Sequence, residues 1–372
     1  MKILIVGAGA SGISAAINYK RNHRKDDVLI IEHLSSPLKK LLATGNGRCN
    51  LGNSNLDINK YSHPEFVEAV LKEYNYTKFF DSISIKTKLI GDLAYPISES
   101  AVSVRNAFLN EAKKLGIKIN IDEKLVDYKI SGQIEVTTSK NKYIVDKLYL
   151  ASSLLSGNGV GSDGSVLEIL RKHQYKIVNP KPGLCPISTF ENTKIIDGIR
   201  NKCEVFLYEN NHLIHQEKGE VLFRKNGLSG IVIFNVSSLI ARSEEKASKI
   251  VLDLLPDFSN QELQNYRKSH TFSQFLQAFL HPKLIEYLTV RFKDENALFN
   301  AIKSLEFNFK DFDDFNHSQV SVGGVDISMV KPNLESVKEN NVFIIGELLD
   351  VDGPCGGYNL TFAFACGIVS TK

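Results

Sequence analysis

"KILIVGAGASGISAA", residues 2–16, decides the fold. The apolar run from Ile3 to Val6 reads as a short strand, and Gly7-Ala8-Gly9-Ala10-Ser11-Gly12 follows it at once. Ile13, Ala16 and Ile17 then fall at helical spacing. A lone G-x-G-x-x-G run is weak evidence, but this one sits between a strand and a helix. A second apolar run, residues 28–31, leads to Glu32, twenty residues past Gly12. Together these make the dinucleotide-binding pattern of a Rossmann-like α/β fold.

Each position has a physical role. Gly7 permits the tight turn, and Gly9 lets the backbone approach a pyrophosphate at the helix N-terminus, with Ala10 and Ser11 in the same turn. Gly12, with Ala16 one turn later, allows close helix–strand packing. Glu32 is expected to accept hydrogen bonds from an adenosine ribose, and a carboxylate there favours free hydroxyls over a 2′-phosphate. The pattern alone does not separate NAD from FAD.

The same segment superficially resembles a signal peptide, but its glycine spacing argues for the nucleotide turn, and a cytoplasmic protein is expected. No run of 18 apolar residues occurs, so no membrane span is expected. The 372 residues, 43% of them hydrophobic, suffice for about two domains. The five cysteines contain no C-x-x-C pair, which gives no zinc-ribbon or dithiol signature and suits a reducing compartment. The net charge of +3 is too small to argue for nucleic acid by itself. No metal-spaced histidine cluster, Ser-His-Asp order or paired carboxylate stands out, and no metal is expected.

Outward from the nucleotide turn lies "KKLLATGNGRCN", residues 39–50. By composition it is a polar surface loop. By position, just after the ribose-binding strand, it would pass over the pyrophosphate. There Gly45 and Gly47 free backbone amides for an anion, and Arg48 can add a charge-assisted bond. At the far end of the chain, "GPCGGYNLTFAFACG", residues 353–367, runs three glycines into an apolar helix-like tail.

"KKLLATGNGRCNLGN", "GDLAYPISESA", "GLSGIVIFNVSS", "VSVGGVD" and "GELLDVDGPCGGYNL" occur in the order found in the BaiN-like flavoproteins, a family of bacterial FAD-dependent oxidoreductases. The resemblance runs from residue 3 to about 369. It implies FAD as the resident cofactor, held by Lys40, Thr44, Gly45, Asn46, Gly47, Arg48 and Cys49, and by an adenine contact at Val126. It also implies that the last strand returns beside the first. There Gly346 and Glu347 would meet the ribityl-phosphate portion, and Gly356, Gly357, Tyr358, Asn359 and Leu360 would present a helix N-terminus to the pyrimidine edge of the flavin. That edge is anionic when reduced, which a helix N-terminus favours by about 0.3–1 kcal/mol. Glycine is expected at 356 and 357 because a side chain would block the ring. The sequence departs from the family where Ala151-Ser152-Ser153-Leu154 stands in place of Ala-Thr-Gly-Gly.

The expected architecture is an FAD-binding domain of the two-dinucleotide-fold flavoprotein type, residues 1–184 with 316–372. Its parallel sheet carries a β-meander at "KLVDYKIS", "QIEVTTS" and "KYIVDKLYLA". A helix capped by Ser98 precedes the meander and stops at Gly116. "SGNGVGSDGS", residues 156–165, is not read as a second dinucleotide loop. Residues 185–315 read as an inserted cap, partly barrel-like over 185–238 with "GIVIFNV" among its strands, and helical over about 239–305. Its 16 Lys+Arg against 18 Asp+Glu (residues 186–315) make no basic clamp. The stripe Phe272, Phe275, Leu276, Phe279 and Leu280 reads as core.

For function, the resemblance implies a reductase that takes hydride from NAD(P)H and passes it to an electron-poor C=C bond, in a steroid-like enone or in uridine of ribosomal RNA. An oxygen-using oxidase of a small amine and a flavin-bearing RNA-binding protein stand as alternatives. The first 62 residues, with nine Lys+Arg and four Asp+Glu, keep RNA open as a substrate. Cys355 and Tyr358, nearest the expected flavin, are the candidates for proton donation, and Cys355 can equally be a small apolar filler.

Overall fold

Lys2–Val6 (β1) is the central strand of a five-stranded sheet in a computed structural model that describes residues 1–244 and 248–372. The sheet order is Val342–Ile344, Lys147–Leu150, β1, Asp27–Ile31 (β2), Lys118–Asn120. Every pairing is parallel. Ile3, Leu4, Ile5 and Ile30 are buried, as parallel strands covered on both faces require. The chain leaves β1 in one direction for β2 and returns on its other side at Lys147–Leu150. That reversal opens a crevice beyond the carboxyl ends of these two strands, the place where such sheets bind nucleotides.

The last strand pairs with Lys147–Leu150 and not with β1. This corrects the expectation that it returns beside the first strand. The reason lies in the third meander run, which divides at Asp146. Lys142–Val145 completes the antiparallel meander with Leu125–Ser131 and Gln133–Thr138, while Lys147–Leu150 enters the parallel sheet against β1. Asp146 makes the change of partner, donating its N–H to the Lys2 carbonyl and accepting the Lys2 N–H at 2.7 Å.

The nucleotide-side helix, Ala10–Asn22 (α1), follows the turn at Gly7. A Cβ on Gly12 would lie 2.0 Å from the Gly7 carbonyl oxygen and 3.2 Å from the Ala151 Cβ. No side chain fits there, so the helix can approach the strand ends only through glycine. The terminal helix, Tyr358–Val369, packs on α1 just as closely: a Cβ on Gly367 would stand 2.5 Å from the Ser11 carbonyl oxygen. The helix Ala101–Lys114 is capped by Ser100, whose hydroxyl accepts the Ser103 N–H, and not by Ser98. Gly116 closes it with φ +70°.

The chain divides into two compact units, residues 1–181 with 320–372 and residues 182–319, each with its own core. The second holds a closed antiparallel barrel of six strands: Ile187–Thr189, Gly227–Ser229, His212–Arg224, Arg200–Glu209, Ser248–Asp253 and Leu305–Phe312. "GIVIFNV" is not one of them. It opens a helix, Ile231–Arg242, in which Val232, Ile233, Val236 and Ile240 bury one face against the barrel core. Its β-branched run is compatible with either state, and tertiary burial chose the helix. The expected helical stretch is likewise interrupted by the strand Ser248–Asp253, and its residues 245–247 lie outside the described residues. Four helices between Asn260 and Lys303 follow, and Phe275, Leu276 and Leu280 are buried in that unit's core.

Candidate functional site

The candidate site is the crevice of the first unit, built from the nucleotide turn, two loops and the terminal helix. At the turn, α1 begins at an N-cap, Gly9, that offers no side-chain acceptor. Space beside Gly9 is open, with no heavy atom within 4 Å of a Cβ placed there. The terminal helix also starts without a side-chain cap, at Gly357. By contrast Ser259 and Thr271 close capping boxes on helices of the barrel unit. Two uncapped helix N-termini are two places where backbone N–H groups stand ready for an anion.

Glu32 is buried and holds three donors. Its Oε2 accepts the Ala8 N–H at 2.8 Å, and its Oε1 accepts the Leu34 N–H at 3.0 Å and faces His33 Nδ1 at 3.0 Å. Burial works to raise its pKa, but the bonds from His33, Leu34 and Ala8 together outweigh it and hold the carboxyl below its ordinary value. It is therefore an ionised acceptor at neutral pH, fixed to the nucleotide turn itself. A cleft beside it is lined by Gly7, His33, Glu123, Leu125, Ser152 and Asp163. Val126 is exposed at a β-bulge between Leu125 and Asp127, which turns its side chain out of the strand's alternation.

Lys40 and Glu347, far apart in the chain, meet at 2.6 Å, and Ser156 bonds both. Ser156 belongs to the glycine-rich loop at 156–165, so that loop joins the site although it is no second dinucleotide turn. Gly346 has φ +72°, and a Cβ there would stand 2.4 Å from the Ser11 hydroxyl. Replacing Lys40 by methionine is expected to weaken FAD binding about tenfold, the worth of one charge-assisted contact. A fluorescence titration of FAD checks this, and wild-type affinity in the variant removes Lys40 from the site.

The 39–50 segment folds as a short helix, Lys39–Ala43, and a tight turn, Thr44–Gly47. Gly45, Asn46, Gly47 and Cys49 all have positive φ, between +54° and +81°. Thr44 bonds the Leu41 carbonyl at 2.7 Å. Arg48 lies over the Tyr95 ring, 4.8 Å from its centroid, and 3.6 Å from Glu99. Cys49 is fully buried, and burial pushes its thiol up to about 11 despite the opposing bond from Thr44. It is a packing residue of the turn and not a nucleophile.

At the terminal helix the glycines have a cause beyond the one expected. A Cβ on Gly357 (φ +89°) would lie 2.6 Å from the carbonyl carbon and oxygen of Gly52. A Cβ on Gly356 would meet nothing closer than 3.5 Å, and φ +113° is what favours glycine there. Asn359 ties the loop to itself, accepting the Gly353 N–H at 3.0 Å and donating to the Gly353 carbonyl at 2.8 Å. Leu360 is partly buried against the core. Tyr358 is buried: its hydroxyl accepts the Asp57 N–H at 3.2 Å, and its ring lies 5.2 Å from that of Tyr61. Cys355 is half-buried.

The donor set fits FAD on an observation independent of any motif. The Ser152 hydroxyl is buried without a protein partner, in the cleft beside Gly7, where the sequence departs from Thr to Ser. Buried hydroxyls are rarely left so, and a bound group with polar atoms would satisfy it. Sequence reasoning missed His33, Ser152 and Ser156 as site members. For His33 a signal was present, since it directly follows Glu32.

Among the described residues no helix is long and apolar enough to cross a membrane. Among the described residues one group of potential metal ligands, Asp313, Asp314 and His317, occurs, and Asp313 is already paired with Arg224 at 2.6 Å.

Known proteins resemble the chain along its whole length. The family model described as HI0933-like protein Rossmann domain matches residues 1–372. A 3-dehydro-bile acid delta(4,6)-reductase of Clostridium scindens is 31% identical, over 100% of this chain and 98% of its own. A ribosomal RNA dihydrouridine synthase of Escherichia coli is 24% identical, over 97% of this chain and 95% of its own. Among solved structures, a 3-ketosteroid delta1-dehydrogenase from Sterolibacterium denitrificans shares the fold, with TM-score 0.50, 9% identity, and coverage of 100% and 99%.

Proposed function

The chain belongs to the HI0933-like Rossmann-domain family of flavoprotein oxidoreductases and is an FAD-dependent enzyme, and from that premise we propose that it reduces an electron-poor C=C bond of a small, steroid-like enone with electrons from NAD(P)H. The single observation that carries the substrate class is the 31% identity, end to end, with a reductase of 3-dehydro-bile acids. FAD, when bound, supplies the acceptance and delivery of hydride. The chain's own residues do the rest. Glu32 anchors the ribose, the uncapped start of α1 receives the pyrophosphate, and Lys40 with Glu347 holds the ribityl-phosphate segment. The N–H groups at Gly357 stabilise negative charge on the pyrimidine edge without any side-chain charge. In the net reaction NAD(P)H gives a hydride to one carbon of the double bond, and a proton adds to its neighbour. Half-buried Cys355 and buried Tyr358, whose hydroxyl accepts the Asp57 N–H and keeps its own proton to donate, are the two candidates to deliver that proton.

A uridine in ribosomal RNA is the second reading, favoured by the 24% identity with a dihydrouridine synthase and by the basic first 62 residues. The balance of 16 basic against 18 acidic residues over 186–315 weighs against broad phosphate contacts.

Purified protein is expected to carry flavin absorption bands, or to gain them on FAD addition, and to bleach with NAD(P)H under anaerobic conditions. Reoxidation by a 4-en-3-one steroid, with loss of the enone absorbance, supports the proposal. Reoxidation only by uridine-containing RNA supports the second reading. Hydrogen peroxide formed from an amine, without bleaching by NAD(P)H, overturns both.

A further inference from the structure

His33 follows the ribose acid directly, and its imidazole stands between two oxygens. Nδ1 lies 3.0 Å from the Glu32 carboxylate, and Nε2 lies 2.6 Å from the Gly161 carbonyl. Both partners are acceptors and cannot donate. A neutral imidazole carries one N–H, so it satisfies one contact and turns a lone pair on the other. Only the imidazolium donates to both.

We propose that His33 is a positioning residue of the cofactor site: as an imidazolium it holds the glycine-rich loop of residues 157–164 against Glu32, and its deprotonation releases that loop and weakens FAD binding as pH rises. The proposal rests on the assignment of Glu32 as the ribose acceptor. The loop is also tied by Asp163 to Lys124 at 2.7 Å, by the Ser162 hydroxyl to that of Ser153 at 2.8 Å and by the Gly164 N–H to the Leu154 carbonyl at 3.0 Å, and His33 is what ties it to Glu32. Gly157, Gly161 and Gly164 all have positive φ, and a Cβ on Gly161 (φ +107°) would lie 2.5 Å from the end of the Leu34 side chain, so glycine lets the loop pass close to the segment that follows the ribose strand. His33 and Asp163 line the same cleft as Gly7 and Ser152, so the clamp closes the adenosine end of the site.

The charged groups around His33 favour the cation on balance. Glu32 faces it from its own segment. From the loop comes Asp163, itself paired with Lys124 at 2.7 Å, and Lys40, whose chain passes Gly157, has its ammonium held by Glu347. Glu123 donates its N–H to the Glu32 carbonyl, and its carboxylate is taken up by Thr138, Asn141, Tyr143 and Asn120. The bond to Glu32 raises the His33 pKa, burial opposes it, and the Gly161 carbonyl adds to the rise. The clamp is thus complete below about pH 6.5, the ordinary histidine value, and is lost as pH climbs through the higher value of the folded protein.

Nitrogen-15 NMR of histidine-labelled protein, with the His33 signal assigned from His33→Gln, reads the ring directly. Two protonated ring nitrogens below about pH 6.5 and a titration above that value are expected, while a ring that loses its proton at or below about pH 6.5 overturns the proposal. FAD affinity of the wild type is expected to fall about tenfold across the same titration, the scale of one charged hydrogen bond. His33→Gln should sit at the weak plateau with that step removed, and a variant that keeps the wild-type pH profile overturns the proposal. Should FAD fail to bind at any pH, the cofactor assignment has failed, and amide exchange of residues 159–164 still decides the clamp. Protection lost across the His33 titration upholds it, and protection indifferent to that titration sinks it.

Discussion

Glu32→Ala is expected to lower FAD affinity by tenfold or more, because a charge-assisted hydrogen bond contributes about 1.5–3 kcal/mol. The structure enlarges the effect beyond the ribose bond. The same carboxylate accepts the Ala8 and Leu34 N–H groups and faces His33. Removing it leaves a buried N–H of the nucleotide turn unmatched and an imidazolium without its counter-charge. The FAD-free variant should therefore also unfold at a lower temperature than FAD-free wild type, and the two losses are measured separately by flavin titration and by thermal denaturation. Acid should mimic the substitution. The Glu32 carboxyl is held below its ordinary value, so its contribution is present above about pH 4.3 and disappears as pH falls through the lower folded-state value. Equal FAD affinity in Glu32→Ala and wild type would show that Glu32 is not the ribose ligand.

Gly357→Val is expected to yield little folded protein. Its Cβ would sit 2.6 Å from the carbonyl carbon and oxygen of Gly52, and backbone cannot yield as the end of a flexible side chain does. Position 357 also needs φ +89°, which a β-branched residue does not adopt. The terminal helix it would displace packs on α1 through Gly367, and it carries Phe362, Phe364, Ala365 and Cys366 into the core. Gly356→Ala is the control. It meets no protein atom within 3.4 Å, so its cost in folding is backbone strain of about 1–3 kcal/mol and it should fold, while its flavin affinity reads whether a side chain at 356 blocks the ring. Soluble yield, thermal transition and flavin absorbance of the two variants test this. A well-folded Gly357→Val with wild-type stability would mean that the approach of Gly52 to the helix start does not constrain it.

The contrast between these glycines bears on how much of the site is legible in a sequence. Gly7, Gly9, Gly12 and Glu32 lie within one strand–turn–helix–strand unit, so spacing alone suggests their roles, and the structure places that unit at the sheet's point of reversal. The glycines at 356 and 357 were equally visible, yet the cause of Gly357 was not. It depends on Gly52, some three hundred residues away in the chain. The joining of Lys40, Ser156 and Glu347 has the same character, as does the bond from His33 to Gly161.

Local sequence by itself determined the nucleotide turn and the meander's first two strands, because turn chemistry and apolar period act over a few residues. Tertiary structure alone decided that "GIVIFNV" is a helix, that the third meander run changes partner at Asp146, and that the last strand lies beside Lys147–Leu150. In each case the local pattern allows two states of similar energy. Burial of an apolar face, or the pairing of a strand with a neighbour distant in the chain, supplies the difference, and neither can be read from the residues alone.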